Sequence, residues 1–170
     1  MVYLGASFSN GKPAARTNTA AILDQRGCEF VPRIQIAPNG ASLVLRNADP
    51  VLHVVRIDSM SGTNGPTTVL NVATPYAGFQ QAYSLAGFKE PTLLKAMGGN
   101  GHNWMAAYVA VMPHPCAALT DNAGRFAIRG VPLGSHKIYV WHEVLGTLTR
   151  DIKVTNGRPT PIDFEFTGAN

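Results

Sequence analysis

The sequence predicts an all-β protein built from two β-sandwiches that share strands, and three observations carry that expectation. Seventeen Gly and twelve Pro stand among 170 residues, more than a helical bundle tolerates, because each interrupts a helix. Short apolar runs with period-2 alternation recur between clusters of turn residues, the pattern of half-buried strands. Beyond residue 113 no sustained 3.6-residue apolar pattern is present. With 45% hydrophobic and 14% charged residues, the chain has enough apolar material for a buried core and too little charge for a disordered polymer.

Taken in order, residues 2–4, 33–37, 42–46, 53–57 and 106–112 read as strands. The run Ser42-Leu43-Val44-Leu45-Arg46 is led in by Pro38-Asn39-Gly40 and closed by Asn47-Ala48-Asp49-Pro50, where proline ends the ladder at a sharp corner. Residues 58–81 are rich in Ser, Thr, Asn, Gly and Pro and read as one long connection with a single helical turn. Pro113-His114-Pro115 breaks the chain and sets an expected boundary, giving domains 1–112 and 113–170, with His114 at the corner between them. In the second domain, turns at Asn122-Ala123-Gly124, Val131-Pro132-Leu133-Gly134, Gly146 and Asn156-Gly157 separate about five short strands.

Composition excludes several functions. Fourteen Lys and Arg against ten Asp and Glu leave a net charge of +4, spread without any basic run, so nucleic acid is not expected as a partner. No apolar stretch approaches the ~18 residues of a membrane span. The two cysteines, Cys28 and Cys116, are too far apart for a CxxC motif or a thiolate-rich zinc site, and a disulfide between them stays open. No phosphate loop, nucleophile elbow around Ser59 or Ser61, or HExxH motif is present, so no enzymatic activity is expected.

Three stretches carry a resemblance: Asp24-Gln25-Arg26-Gly27-Cys28-Glu29-Phe30-Val31-Pro32-Arg33, Asn47-Ala48-Asp49-Pro50-Val51-Leu52-His53 and His102-Asn103-Trp104-Met105-Ala106-Ala107-Tyr108-Val109. They resemble bacterial periplasmic cupredoxin-like proteins of the plastocyanin-like or methylamine-utilisation-like kind. The tail, from Leu119-Thr120-Asp121 through Gly124-Arg125-Phe126 to Val140-Trp141-His142-Glu143, is similar to the transthyretin-like, carboxypeptidase-regulatory-like sandwich fused to them. The resemblance implies a Greek-key cupredoxin-like sandwich over 1–112 and a smaller transthyretin-like sandwich over 113–170. It also implies a periplasmic or extracytoplasmic location, with an export segment upstream of Val2.

A blue-copper site needs a Cys thiolate, two imidazoles and a weak axial thioether. By resemblance His53 and His102 match the imidazoles and Met105 the thioether. The family's Lys-Cys pair falls on Lys95-Ala96, and a glycine-rich stretch, Met97-Gly98-Gly99-Asn100-Gly101, lengthens the interval to His102. Neither cysteine lies near this loop in sequence. Arg56 replaces a histidine of the family, and a guanidinium near the site opposes a cation. The expectation is therefore a degenerate copper site with no cofactor, His53, His102 and Met105 being vestigial, and copper binding by those three as the alternative.

Plainer roles are at hand for each. His53 suits a hydrogen-bonded strand start, His102 a loop surface and Met105 core filling. His142 and Glu143 point to opposite faces of a strand and do not act together. The function expected is thus a non-catalytic accessory subunit docked on a larger, membrane-bound electron-transfer complex, respiratory or photosynthetic. Tyr76, Phe79, Tyr83, Phe88 and Trp104, read as loop aromatics, are the interface candidates. A copper carrier or weak redox protein and a secreted recognition module are the alternatives.

Overall fold

The computed structural model describes residues 1–5, 20–61, 65–99, 101–156 and 158–167. The described residues form strands and connections with no helix, as the composition predicts. The chain divides into two compact units, a central one of Thr17–Pro113 and a terminal one of Met1–Arg16 with His114–Asn170.

The central unit is a sandwich of two sheets. One has the order β4 (Ile34–Pro38), β10 (Ala106–Met112), β9 (Thr92–Gly98), β6 (His53–Ser59), β7 (Thr67–Thr74); the other has β3 (Phe30–Val31), β2 (Ala20–Gln25), β5 (Ser42–Asn47), β8 (Phe79–Ser84). Each sheet holds one parallel pair, β10 with β4 and β2 with β5, and is otherwise antiparallel. Alternation sends Leu23, Leu43 and Leu45 from one sheet and Val55, Ile57, Leu94, Ala107 and Val109 from the other into a shared core. Burying each of the larger side chains is worth about 1.5–3 kcal/mol.

The expected long connection over 58–81 is corrected: it contains β7 and the start of β8. Residues 62–64 of that stretch lie outside the described residues, as do Asn100 and Gly157 of the expected turns. The strand signal in Thr67-Thr68-Val69-Leu70-Asn71-Val72-Ala73-Thr74 is β-branching rather than alternating hydrophobicity, because β7 is the edge of its sheet and most of its residues are exposed. Phe79 and Tyr83 accordingly stand on a strand and not in a loop.

The terminal unit contains one sheet in the order β11 (Ala117–Ala118), β1 (Val2–Leu4), β12 (Gly134–His142), β13 (Gly146–Val154). Here β1 pairs antiparallel with both β11 and β12, setting Val2 opposite Ala118 and Val140. Val2 and Leu4 are buried with Cys116, Ile138 and Val140, and Phe126, Ile128, Ile162, Phe164 and Phe166 pack against them. Residues 125–129, expected as a strand, pair with no neighbour among the described residues, although Phe126 and Ile128 still alternate inward. The expected division at residue 113 thus meets a unit that also takes the first strand of the chain. Set against the expected boundary at residue 113, β1 from the first part stands between β11 and β12 of the second, which is the strand sharing expected.

Candidate metal centre

One end of the central sandwich gathers most of its buried polar side chains. There β2, β5 and β9 finish and β6 and β10 begin, so the turn 26–29, the corner 48–52 and the loop 99–105 meet. Asn47, the last residue of β5, fixes the corner: its Nδ2 donates to Val51 O and Thr74 O, each at 2.8 Å, and its Oδ1 accepts from Asp49 N at 2.8 Å. Gln25 Nε2 donates to Arg46 O at 2.9 Å, and the Thr74 hydroxyl lies 3.1 Å from Gln25 Oε1 and 3.2 Å from His53 O. Buried amides and hydroxyls satisfied in this way make a rigid platform.

Asp49 is the hub. Its Oδ1 accepts from Gly27 N at 2.6 Å, and its Oδ2 accepts from Cys28 N at 2.9 Å and contacts His53 Nε2 at 2.9 Å. Burial raises the carboxyl pKa, but the Cys28 N–H, the His53 ring and the Gly27 N–H together outweigh that and hold it below the usual carboxylate range. Asp49 is therefore an anion at neutral pH and an acceptor only. The neutral form of His53 therefore carries its proton on Nε2, which makes Nδ1 its lone-pair nitrogen. That Nδ1 is buried with no hydrogen-bond partner among the described residues, and so is His102 Nδ1.

The two imidazoles meet edge to face, with ring centroids 4.6 Å apart. The loop carrying His102 is pinned to the start of β6, since Gly99 N donates to Val54 O at 2.9 Å. It is also folded tightly on itself: Gly98 N donates to Met105 O at 3.0 Å, His102 N to Gly99 O at 3.1 Å and Met105 N to His102 O at 3.0 Å. A side chain at Gly98 would collide with the His102 carbonyl oxygen and meet Met105 Cβ at 3.0 Å and His102 Cβ at 3.2 Å. Close approach therefore demands glycine there. Met105 itself is buried in the central core.

Cys28 is the residue that sequence distance hid. Its sulfur, a carboxylate oxygen of Asp49 and a ring nitrogen of His53 all lie within 4.8 Å of one another. Cys28, remote from His53 in sequence, thus stands near it in the fold; Cys116 is buried in the terminal unit, and both are free thiols. The cause is topological: the parallel pair β2 and β5 ends in register, Gln25 opposite Asn47, which delivers the two following turns to one place. The sequence signal was the Asp at four residues before His53, read only as part of a corner.

Two further expectations change. Arg56 is exposed while its neighbours Val55 and Ile57 are buried, so it leaves the opposite face of β6 from His53, and its Nε donates to Asp58 Oδ1 at 2.9 Å. The guanidinium is thus neutralised and turned away. Of the interface candidates, Tyr83 and Phe88 are half-buried against the core, and Phe79 is half-buried with its ring 5.9 Å from that of Tyr76. Tyr76 and Trp104 are 62% and 64% exposed, and Trp104 Nε1 donates to Cys28 O at 3.0 Å while its ring stands 5.3 Å from that of His102. In the terminal unit, His142 Nδ1 accepts from Val144 N and Leu145 N, each at 3.2 Å, closing the turn between β12 and β13.

No family model matches the chain, and no curated protein matches it. Among solved structures it is similar to a purple cupredoxin from Nitrosopumilus maritimus, at 17% identity and a TM-score of 0.41, over 55% of this chain and 99% of that one. It is similar to reduced auracyanin from Roseiflexus castenholzii, at 13% identity and a TM-score of 0.44, over 59% and 100%. It also aligns with a copper-containing nitrite reductase from Thermus scotoductus SA-01, at 15% identity and a TM-score of 0.42, over 59% of this chain and 25% of that one.

Proposed function

We propose that this protein binds one copper ion at the end of its central sandwich, through His53 and His102 with Met105 beside them, and that it is a carrier or electron-transfer partner rather than an enzyme. The observation that carries the reading is the pair of imidazoles whose buried Nδ1 atoms have no hydrogen-bond partner among the described residues. A buried nitrogen left unsatisfied costs about 1–3 kcal/mol, a cost that coordination removes. Two nitrogens and a thioether favour Cu(I) over harder ions. Zinc would call on a carboxylate, and both oxygens of Asp49 are engaged by N–H groups.

The residues divide the work. Asp49 fixes the tautomer and rotation of His53, so that Nδ1 is the donor atom. Gly98 and Gly99 let the ligand loop lie close enough to β6 for His102 to reach His53. Bound copper would supply a one-electron couple or a cargo site. Val51 and Leu52, 42% and 45% exposed, lie on the corner beside this site, and Tyr76 and Trp104 are likewise exposed. Exposed apolar groups of this kind support docking of a protein partner.

Accessory docking on a larger electron-transfer assembly, with the metal site vestigial, is the second reading, and the exposed Tyr76 and Trp104 favour it. An extracytoplasmic location fits either reading; among the described residues no helix is long and apolar enough to cross a membrane. Anaerobic titration with Cu(I) against a chromophoric chelator tests the choice. One tightly held ion per chain, lost in His53→Ala and His102→Ala, is expected. Absence of tight binding in the folded wild-type chain would leave docking, to be read by native electrophoresis of the protein from its source.

A further inference from the structure

We propose that the terminal unit binds a small apolar monocarboxylate in a cavity between its sheet and the two extended segments that cover it, the Arg158 guanidinium holding the carboxylate at the mouth. The assignment concerns the terminal unit alone and stands apart from the copper reading. The cavity has a volume of about 240 Å³. Leu4, Ile138 and Ile152 form its floor, and Phe126, Ile128 and Ile162 its roof.

The space follows from the sequence. Along β12 the alternate residues His136, Ile138 and Val140 are buried. The position before them on the same face is Gly134, which stands opposite Val154 of β13. No side chain of β12 therefore fills the sheet face beside Val154. In the roof, Gly130 lines the same space with φ of +67°, a turn that favours glycine and adds no side chain either. Phe164 and Phe166 pack against the rest of this core and leave the Val154 end open.

Charge selects the ligand. Arg158 alone among the lining residues is charged, and apart from Thr160 the others are apolar. Two further guanidiniums of this unit are engaged: Arg125 Nε donates to Asp121 Oδ2 at 2.9 Å, and Arg150 stands 5.4 Å from the centre of the Phe164 ring. Arg158 has no ion pair with any described residue. Its planar fork of N–H donors matches the two oxygens of a carboxylate, and the walls behind it accept an uncharged body. Size sets the length of that body. An apolar cavity of ~150 Å³ holds benzene; in proportion, this one takes about eight to ten carbon atoms. The two long chains of a phospholipid exceed that room, so the ligand is a free acid.

The roof gives access. Residues 125–129 and 158–167 belong to no strand ladder among the described residues, so a ligand passing between them breaks no strand pairing. Each methylene that enters is expected to tighten binding about fourfold.

Isothermal titration of the whole chain with sodium octanoate tests the assignment. One octanoate per chain is expected, with hexanoate weaker by about tenfold and octan-1-ol, which has the same chain and no charge, weaker by about tenfold as well. Arg158→Gln, at an exposed position outside every strand, is expected to bring octanoate to the level of octan-1-ol and to leave octan-1-ol unchanged. Methyl NMR spectra place the ligand: octanoate is expected to shift Ile138 and Ile152 and to leave Ile57 of the central core unmoved. Folded Val154→Phe, its cavity filled, is expected to bind neither compound; where that variant does not fold, the Arg158→Gln and methyl measurements decide. The assignment is overturned if the folded wild-type chain does not bind octanoate at millimolar concentration, if Arg158→Gln or folded Val154→Phe binds it as wild type does, or if the shifts fall on Ile57 instead.

Discussion

Replacing Asp49 by Asn probes the centre of the structure most directly. The substitution keeps shape but removes the anion and turns one acceptor oxygen into an NH2 group, which must face N–H donors. His53 is 1% exposed, so its Nε2–H has no water to turn to and loses about 1–3 kcal/mol. The Gly27 and Cys28 N–H groups are only partly buried, and water recovers part of what they lose. The total is about 2–4 kcal/mol, a shift of about 1–3 M in the urea midpoint for a unit of this size. Trp104 belongs to the central unit and Trp141 to the terminal one, so fluorescence in a Trp141→Phe background reads the relevant transition. Copper affinity is expected to fall about 10–100-fold, the usual effect of losing the partner that orients a ligand histidine. A variant as stable as wild type, with unchanged copper affinity, would refute the role assigned to this carboxylate.

Three other outcomes are expected. The Arg56–Asp58 pair gives an acid signature: the Arg56 hydrogen bond, against burial and aided by Thr68 and Lys95, holds the Asp58 carboxyl below its ordinary value. Its stabilisation is complete above the unfolded value of about 3.9 and is lost as pH falls through the depressed folded one; urea titrations below pH 4 are expected to be flatter in Asp58→Asn. Gly98→Ala forces the His102 carbonyl and Met105 apart and is expected to cost about 1–3 kcal/mol and to abolish tight Cu(I) binding, whereas Gly87→Ala, a positive-φ turn with open space around it, is expected to cost stability alone. Leu4→Ala removes buried volume from the terminal core, so a loss of about 2–4 kcal/mol is expected in the Trp141 transition and not in that of Trp104; the reverse would show β1 to be wrongly placed.

Much of this architecture was legible in the residues because alternation survives wherever one face of a strand is buried. Residues 2–4, 42–46 and 53–57 announce themselves in that way, and 106–112 as a continuous apolar run buried on both faces. The polar edge strand β7 does not, since only Leu70 and Val72 pack on the core from it and Thr and Val content is what marks it. His53, His102 and Met105 could be named from sequence, as each lies at the end or start of a recognisable run. Cys28 could not, because its nearness to His53 depends on the register of β2 against β5, which no local pattern encodes. Arg56 was misjudged for a simpler reason: three residues along a strand reverses the face, and proximity in sequence was taken for proximity of charge.

The route of the chain through the terminal sheet governs how the molecule can be made. Val2 precedes the whole central sandwich in the chain, and its partner Val140 follows it. During translation β1 must wait, its backbone groups unmatched, while an independent body folds between it and β12. Closure of that sheet is a late, non-local event. Ribosome-bound chains halted before residue 134 would carry a finished central sandwich and an N-terminal strand still lacking β12.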